Sequence, residues 1–281
     1  GIPCTSIRAD WAAQRIQNLS LRKAVWNAVS GSNNTTSLID AFGYPRLGPG
    51  MMWEAFRDRV EENGGEVRMN SRATRIIRTD DRVLALEVTR DEKDGGPYRL
   101  EANEFISSMP ISELVLGMDP PAPAEVQAAA RKLRYRDFLI VTLILKGSDL
   151  FPDNWIYVHS PDVNVGRIQN FRSWSEEMIP EPNRSSIGME YFCQSCDEMW
   201  TTDNETLMKR AAAELEHLGL AKASDVVDGT VIRQPKAYPV YDGDYQDALA
   251  VIRDWLGTIT NLQVVGRNGM HRYNNQDHSM L

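Results

Sequence analysis

The sequence predicts an α+β protein in which helices flank one sheet and a strand-rich block follows. Three observations predict this class. Helical periodicity of apolar residues recurs in separate segments, short apolar strands separated by prolines dominate residues 138–193, and no strand–GxGxxG–helix unit occurs in the 281 residues. That unit opens the parallel sheet of dinucleotide-binding folds, so we expect part of the sheet's parallel strands to be missing from the chain.

Composition argues against several classes of function. A net charge of -8 with dispersed acidic residues argues against a nucleic-acid binder, which normally carries a basic stripe. No apolar run in the chain approaches the ~18 residues of a membrane span. The 3 cysteines make no disulfide framework, which is typical of a reducing compartment. We therefore expect a cytoplasmic protein that binds no nucleic acid and has no membrane span.

The first elements are helical. A helix is predicted at residues 10–29, and a polar loop follows at residues 30–37. A second helix begins after the glycine turn at residues 48–50 and ends at the Asn-Gly-Gly run of residues 63–65. Its apolar stripe consists of Met52, Phe56 and Val60, with Trp53 beside it.

Strands follow in the next part of the chain. Candidates lie at residues 66–75, 82–89 and 98–107, and a turn at residues 79–81 joins the first two as a hairpin. The proline-rich run at residues 119–123 then opens a short helix rich in alanine.

The second half combines the strand-rich block with two regular helices. An amphipathic helix is predicted at residues 203–218, with its apolar face at Leu207, Ala211, Leu215 and Leu218. The remaining elements are a strand at residues 226–233, a helix at residues 245–259 and a terminal strand at residues 262–265.

Motifs that often mark a catalytic centre are incomplete here. The glycine turn at residues 48–50 lacks the third glycine of a phosphate loop, and Pro49 removes an N–H donor, so a helix-capping turn is favoured. Cys193 and Cys196 form a lone CxxC pair, and the 4 histidines show no metal-ligand spacing. Nothing resembles a nucleophile elbow. We therefore predict no metal site and assign no catalytic residue.

Two polar regions remain as candidate binding sites. Arg267 stands beside a glycine after the last strand, which suits a phosphate or pyrophosphate, although a surface arginine in a salt bridge is an equal alternative. Aromatic residues alternate with arginine and amide side chains at residues 154–157 and 167–175. Such strands line a pocket or form an outer sheet face, and Arg167 and Asn170 are the candidate substrate contacts there.

The closing segment, residues 266–276, resembles a known flavin-contact motif. It is similar to the C-terminal motif of the FAD-dependent amine oxidase and protoporphyrinogen oxidase superfamily, in the form Gly-Arg-x-Gly-x-Tyr-x-Tyr-x-Asp-Met of UDP-galactopyranose mutases. His271 replaces the first tyrosine and Asn275 the aspartate, and both departures argue against the mutase reaction rather than against flavin binding. Other segments that resemble the superfamily, in the same order, are residues 2–16, 48–67 and 105–111.

The resemblance implies a Rossmann-type FAD domain and a substrate domain built on a mixed sheet. It divides the chain into residues 1–110, which combine substrate-domain helices with FAD-domain segments, residues 111–240 in the substrate domain, and residues 241–281 back in the FAD domain. It assigns FAD contacts to Gly266, Arg267, Asn274, Asn275, Gln276 and Val67. It also assigns substrate contacts to Arg267 and Tyr273.

The function implied by the resemblance is that of an FAD-dependent oxidoreductase. Such an enzyme oxidises a small organic substrate by hydride transfer to flavin. The alternatives are a sugar-nucleotide mutase, whose substrate is a nucleotide sugar, and a non-catalytic binding module. The superfamily's GxGxxG fingerprint would precede Gly1, so the chain looks like a C-terminal portion. We expect it to bind FAD weakly or not at all by itself, and to self-associate through an exposed sheet edge.

Overall fold

The structure is a computed structural model, which describes residues 42–90 and 96–280. The helix predicted at residues 10–29, the loop predicted at residues 30–37 and the superfamily-like segment at residues 2–16 lie outside the described residues. The α+β class is confirmed, because helices pack against two separate sheets and a third, short strand pair.

The first part of the described chain surrounds a four-stranded sheet. Its elements are α1 (Pro49–Glu62), β1 (Ser71–Arg78), β2 (Val83–Arg90), β3 (Tyr98–Glu101), β4 (Phe105–Ser107), α2 (Ile111–Leu116), β5 (Met118–Asp119) and α3 (Ala124–Lys132). The strand order is β3-β2-β1-β5, and β5 runs parallel to β1. The predicted hairpin between β1 and β2 is confirmed, since the Thr79 N–H donates to the Arg82 carbonyl at 2.8 Å.

Two predicted strands have different bounds in the structure. The strand predicted at residues 66–75 begins only at Ser71, because Asn70 has a positive φ of 52° that interrupts the extended backbone. The strand predicted at residues 98–107 is two strands, β3 and β4, which belong to different sheets. Local sequence shows neither the turn at Asn70 nor the change of sheet.

The second part forms a five-stranded sheet with one long helix on it. Its elements are β6 (Tyr135–Lys146), β7 (Trp155–Tyr157), β8 (Arg167–Asn170), α4 (Phe171–Trp174), a 3-10 turn (Glu176–Met178), β9 (Arg184–Cys193), α5 (Glu198–Thr201), α6 (Asn204–His217), a second 3-10 turn (Ala223–Asp225) and β10 (Val226–Pro239). The strand order is β10-β6-β9-β8-β7, with antiparallel neighbours throughout. The helix predicted at residues 203–218 is confirmed, and the strand predicted at residues 226–233 continues to Pro239.

The chain then returns to the first sheet. The last elements are α7 (Tyr245–Leu256), β11 (Leu262–Val264), α8 (Gly266–Gly269) and α9 (Gln276–Met280). The helix predicted at residues 245–259 therefore ends three residues early. Strand β11 pairs in parallel with β4.

The described residues build two hydrophobic cores. In one, α2, α3 and α7 pack with β1 and β2 through residues such as Ile76, Val126 and Ile252. In the other, α6 packs its Leu207 and Leu215 against alternate residues of β6 and β9. Helices α2 and α3 thus belong to the first core, although the predicted boundary at residue 110 assigns them to the substrate domain. The domain boundaries stay predictions.

Candidate functional site

The candidate site begins at the parallel strand pair β4 and β11. Ser107 pairs with Val264, the last residue of each strand, and the Val265 N–H donates to the Ser107 carbonyl at 2.9 Å. The two strands therefore end together, and the loops that follow them lie side by side. Open α/β sheets bind ligands at the carboxyl ends of their parallel strands. The closing segment starts at this edge.

The two glycines of the closing segment are required for different reasons. Gly266 has a φ of 78°, a backbone conformation that favours glycine. Gly269 permits a close approach, because a Cβ at this position would lie 2.9 Å from the Ser107 carbonyl oxygen. The strand and loop of residues 105–111, which resemble those beneath the flavin in the superfamily, therefore contact the closing segment directly.

Arg267 is held by its own segment. Its Nε donates to the Asn274 carbonyl at 3.1 Å, and its guanidinium carbon lies 4.4 Å from the centre of the Tyr273 ring and 5.0 Å from that of Tyr238. Within residues 42–90 and 96–280, no carboxylate lies within ion-pair distance of Arg267. The alternative of an arginine held in a salt bridge is therefore not observed in this part of the chain.

An open cavity of about 740 Å³ lies beside Arg267. Its lining is polar and includes four of the predicted FAD contacts, together with the side of the short helix α9. The lining residues are Arg267, Asn274, Asn275, Gln276, Asp277 and Ser279. Amide side chains of this kind can hydrogen-bond the carbonyl and nitrogen edge of a flavin ring, so the residues present are compatible with the expected cofactor.

A second polar cluster occupies the face of the five-stranded sheet that α6 does not cover. Arg167 and Gln169 on β8 both donate to the carboxylate of Glu190 on β9, whose side chain is 1% exposed. Desolvation opposes the charged form of Arg167, but the hydrogen bond and charge of Glu190 prevail and raise its pKa. The guanidinium carbon lies 4.8 Å from the centre of the Trp155 ring.

A continuous row of rings connects the two arginines. Tyr273 stacks on Tyr238 with ring centres 6.1 Å apart, and Tyr238 lies 6.0 Å from Phe192. Phe192 in turn lies 5.8 Å from the Arg167 guanidinium. The structure therefore brings Arg267, Tyr273 and Arg167, three of the predicted substrate contacts, to one aromatic surface. We call the row Tyr273, Tyr238, Phe192 and Trp155, with its two arginines, the aromatic surface.

Two other predicted contacts lie apart from these. Asn170 is on the opposite, buried face of β8, where its Nδ2 donates to the Phe151 carbonyl at 2.8 Å. Successive residues of a strand face opposite sides, so Asn170 and Arg167 are separated by the sheet. Val67 is half-buried in the irregular segment between α1 and β1, and it does not line the cavity beside Arg267.

His271 points into the protein rather than toward the aromatic surface. It is 1% exposed and lies edge-on to the Tyr135 ring at 5.0 Å. Burial lowers the pKa of His271 to about 4, so the ring is neutral at physiological pH. Its replacement of the motif's first tyrosine therefore changes the packing beneath the closing segment. Asn275, the other departure from the motif, is exposed in the cavity lining.

Sequence reasoning missed three residues of this site. Glu190, Gln169 and Tyr238 all face the aromatic surface, and none belongs to a recognisable motif. The alternation of β8 could have placed Gln169 beside Arg167. Glu190 and Tyr238 come from other strands, so only the pairing of β8, β9 and β10 with their neighbours brings them near.

The remaining motifs stay structural. Burial, with the nearby charges of Asp137 and Asp197, raises the pKa of Cys193 to about 11, while Cys196 is exposed and both are free thiols. Gly48 has a φ of 87° and precedes α1, as expected of a turn that leads into a helix. Across residues 42–90 and 96–280, no helix is long and apolar enough to cross a membrane.

Comparison with solved structures finds proteins of similar fold. A reduced UDP-galactopyranose mutase superposes with a TM-score of 0.76 at 18% identity, covering 99% of this chain and 59% of the mutase. An oxidoreductase from Methanosarcina mazei superposes with a TM-score of 0.54 at 12% identity. The superposition covers 79% of this chain and 49% of the oxidoreductase chain. The expected resemblance is thereby confirmed for the fold. This chain spans about half the length of these proteins.

No protein-family model matches the chain, and no curated protein matches it.

Proposed function

We propose that this chain forms the flavin-contacting and substrate-contacting part of an FAD-dependent oxidoreductase. The observation that carries the proposal is the position of the closing segment. It starts at the carboxyl edge of a parallel strand pair, lines an open polar cavity, and places Arg267 and Tyr273 on the aromatic surface. A cofactor on one side of this segment would face a substrate on the other.

The residues assigned to the cofactor are those that line the cavity, namely Arg267, Asn274, Asn275 and Gln276, with Gly266 shaping the turn before them. Flavin, when bound, supplies a hydride acceptor. The chain's own part is to orient the substrate on the aromatic surface. Tyr238 and Tyr273 offer ring faces for this, and Arg267 offers positive charge.

The absorption spectrum of the full-length protein tests the proposal. Protein purified without added cofactor should show a flavin band between about 370 and 450 nm. A Gly269→Ala variant should hold less flavin, because the new Cβ would displace the closing segment from Ser107. A colourless full-length protein that also fails to bind added FAD would contradict the proposal and favour a non-catalytic binding module.

A sugar-nucleotide mutase is the second candidate, and a specific observation favours it. Arg267 lies beside two rings of the aromatic surface, and an arginine next to aromatic rings suits a ligand that combines rings with phosphates. Binding of UDP to the full-length protein, with loss of binding in Arg267→Ala, would support this candidate. Oxidation of a substrate without UDP affinity would support the oxidoreductase.

We also propose that this chain, expressed alone, binds FAD weakly and self-associates. The strand pair β4 and β11 leaves Ile106 73% exposed, and an exposed apolar strand edge favours pairing with another copy. Size-exclusion chromatography across a range of concentrations tests this. A single monomer peak at high concentration would contradict it.

A further inference from the structure

The two arginines of the aromatic surface differ in charge balance. Arg167 and Glu190 are directly opposite each other on β8 and β9 and form a salt bridge, with side-chain exposures of 15% and 1%. Gln169 donates to the second carboxylate oxygen, so both oxygens of Glu190 are occupied. A buried carboxylate needs such partners, because an uncompensated charge is costly away from water. The positive charge of Arg167 is therefore already balanced.

Arg267 has no such counter-charge in the described part of the chain. Its guanidinium makes one hydrogen bond there, from Nε to the neutral carbonyl of Asn274, and it also contacts the rings of Tyr273 and Tyr238. It also lines the open cavity. Asp277 lines the same cavity but makes no salt bridge with Arg267. An anion that approaches the aromatic surface therefore meets a guanidinium without an ion-pair partner at Arg267 and a neutral pair at Arg167.

The salt bridge also fixes the orientation of Arg167. The guanidinium lies 4.8 Å from the Trp155 ring centre and 5.8 Å from that of Phe192, while Nε faces Glu190. Arginine stacks on rings through its planar face, and a guanidinium held in this way presents a flat surface rather than a free charge.

We propose that Glu190 is a positioning residue that neutralises Arg167 and holds it against Trp155 and Phe192. The anionic group of the substrate then binds at Arg267, and the flat surface around Arg167 receives an uncharged part of the same molecule. This inference rests on the proposed function, because it assigns an orientation to the substrate of that site.

Binding of inorganic pyrophosphate to the full-length protein, measured by calorimetry, tests the assignment of the anion. Charge-assisted hydrogen bonds contribute enough that Arg267→Ala should weaken binding by about 10-fold or more. The double variant Arg167→Gln with Glu190→Gln removes both charges of the neutral pair while keeping amide groups of similar size. It should leave the affinity within about twofold of that of the unmodified protein, because it changes no net charge.

The single variant Glu190→Gln separates positioning from a merely structural role. It leaves Arg167 without its counter-charge, so the affinity for pyrophosphate should rise by about threefold or more and become more sensitive to salt. The matched control is Glu101→Gln, which neutralises the carboxylate of the exposed Arg99–Glu101 pair and should change nothing. A glutamate that only stabilises the fold would give no gain in anion affinity.

Three results would overturn the inference: no binding of pyrophosphate by the unmodified protein, a loss in the double variant as large as that in Arg267→Ala, or no gain in a folded Glu190→Gln. If Glu190→Gln does not fold, the inference is still tested by comparing the pyrophosphate affinity of Arg267→Ala with that of the double variant. The flavin spectrum is read separately. A coloured protein with any of these results retains the proposed function, whereas a colourless one loses it.

Discussion

The five-stranded sheet uses its two faces for different purposes. On the face covered by α6, alternate residues of β6 are aliphatic and fully buried, as Leu139, Val141 and Leu143 show. On the open face, the neighbouring strands carry the rings of Phe192 and Tyr238 and the Arg167–Glu190 pair. Alternate residues of this sheet are therefore either buried in the core or directed to the open face, where we propose that the ligand binds. Substitutions on the two faces should separate loss of stability from loss of binding.

The largest effect is expected on the covered face. Leu143→Ala should lower the free energy of unfolding by about 4 kcal/mol, because it removes a fully buried side chain and leaves a cavity. Its neighbour Ile144 lies on the open face and is only partly buried, so Ile144→Ala should cost about 1 kcal/mol. Urea unfolding of both variants measures the difference. Equal losses would show that the open face is packed as tightly as the covered one.

The next effect is expected on acidification, at the histidine buried beneath the closing segment. His271 has a pKa of about 4 in the folded protein, below the value near 6.5 of an exposed histidine. The unfolded chain therefore binds the proton first as the pH falls. The contribution of His271 to stability should be fully present above pH ~6.5 and decline by about 3 kcal/mol as the pH falls to ~4.

Urea unfolding at a series of pH values measures this decline. In His271→Phe the part due to this ring should disappear, because the variant has no group to protonate. The matched control is His278→Gln, which removes an exposed histidine and should keep the full decline. A decline of the same size in His271→Phe would assign the acid sensitivity to other groups.

The difference between the faces explains what the sequence could predict. The apolar run of β6 and the spacing of Leu207 and Leu215 on α6 indicate a covered strand and its helix, because local periodicity reports burial. Glu190 could not be assigned, since its role depends on the register that places it opposite Arg167. Asn170 was grouped with Arg167 by sequence proximity, although alternation puts it on the other face.

The closing segment shows the same division. Its motif identified Gly266 and Arg267, since a glycine turn before a polar segment is visible in sequence. The packing of His271 beneath the segment was not visible, because Tyr135 and the other surrounding rings come from distant parts of the chain. The motif therefore predicts where the candidate site lies, whereas tertiary contacts decide which of its side chains are open to the cavity.

A smaller effect is expected where the closing segment contacts β4. Gly269→Ala should cost about 1–2 kcal/mol, because its Cβ would meet the Ser107 carbonyl, a backbone atom that cannot rotate away. Gly243→Ala is the matched control, since nothing lies within 4 Å of a Cβ at that position. Thermal unfolding compares the two. An unchanged melting temperature for Gly269→Ala would show that the segment moves freely over β4.

The smallest effect on stability is expected at Arg267, and it completes the comparison. Arg267→Ala removes one hydrogen bond to Asn274 and the contacts with two rings, so the free energy of unfolding should fall by about 1 kcal/mol or less. Its affinity for pyrophosphate should nevertheless fall by about 10-fold or more, whereas Leu143→Ala should lose stability and keep the affinity of the molecules that remain folded. Urea unfolding and pyrophosphate calorimetry on the same two variants measure both quantities. If Arg267→Ala unfolded as easily as Leu143→Ala, the open face would be part of the core, and its arginine would be retained for packing rather than for a ligand.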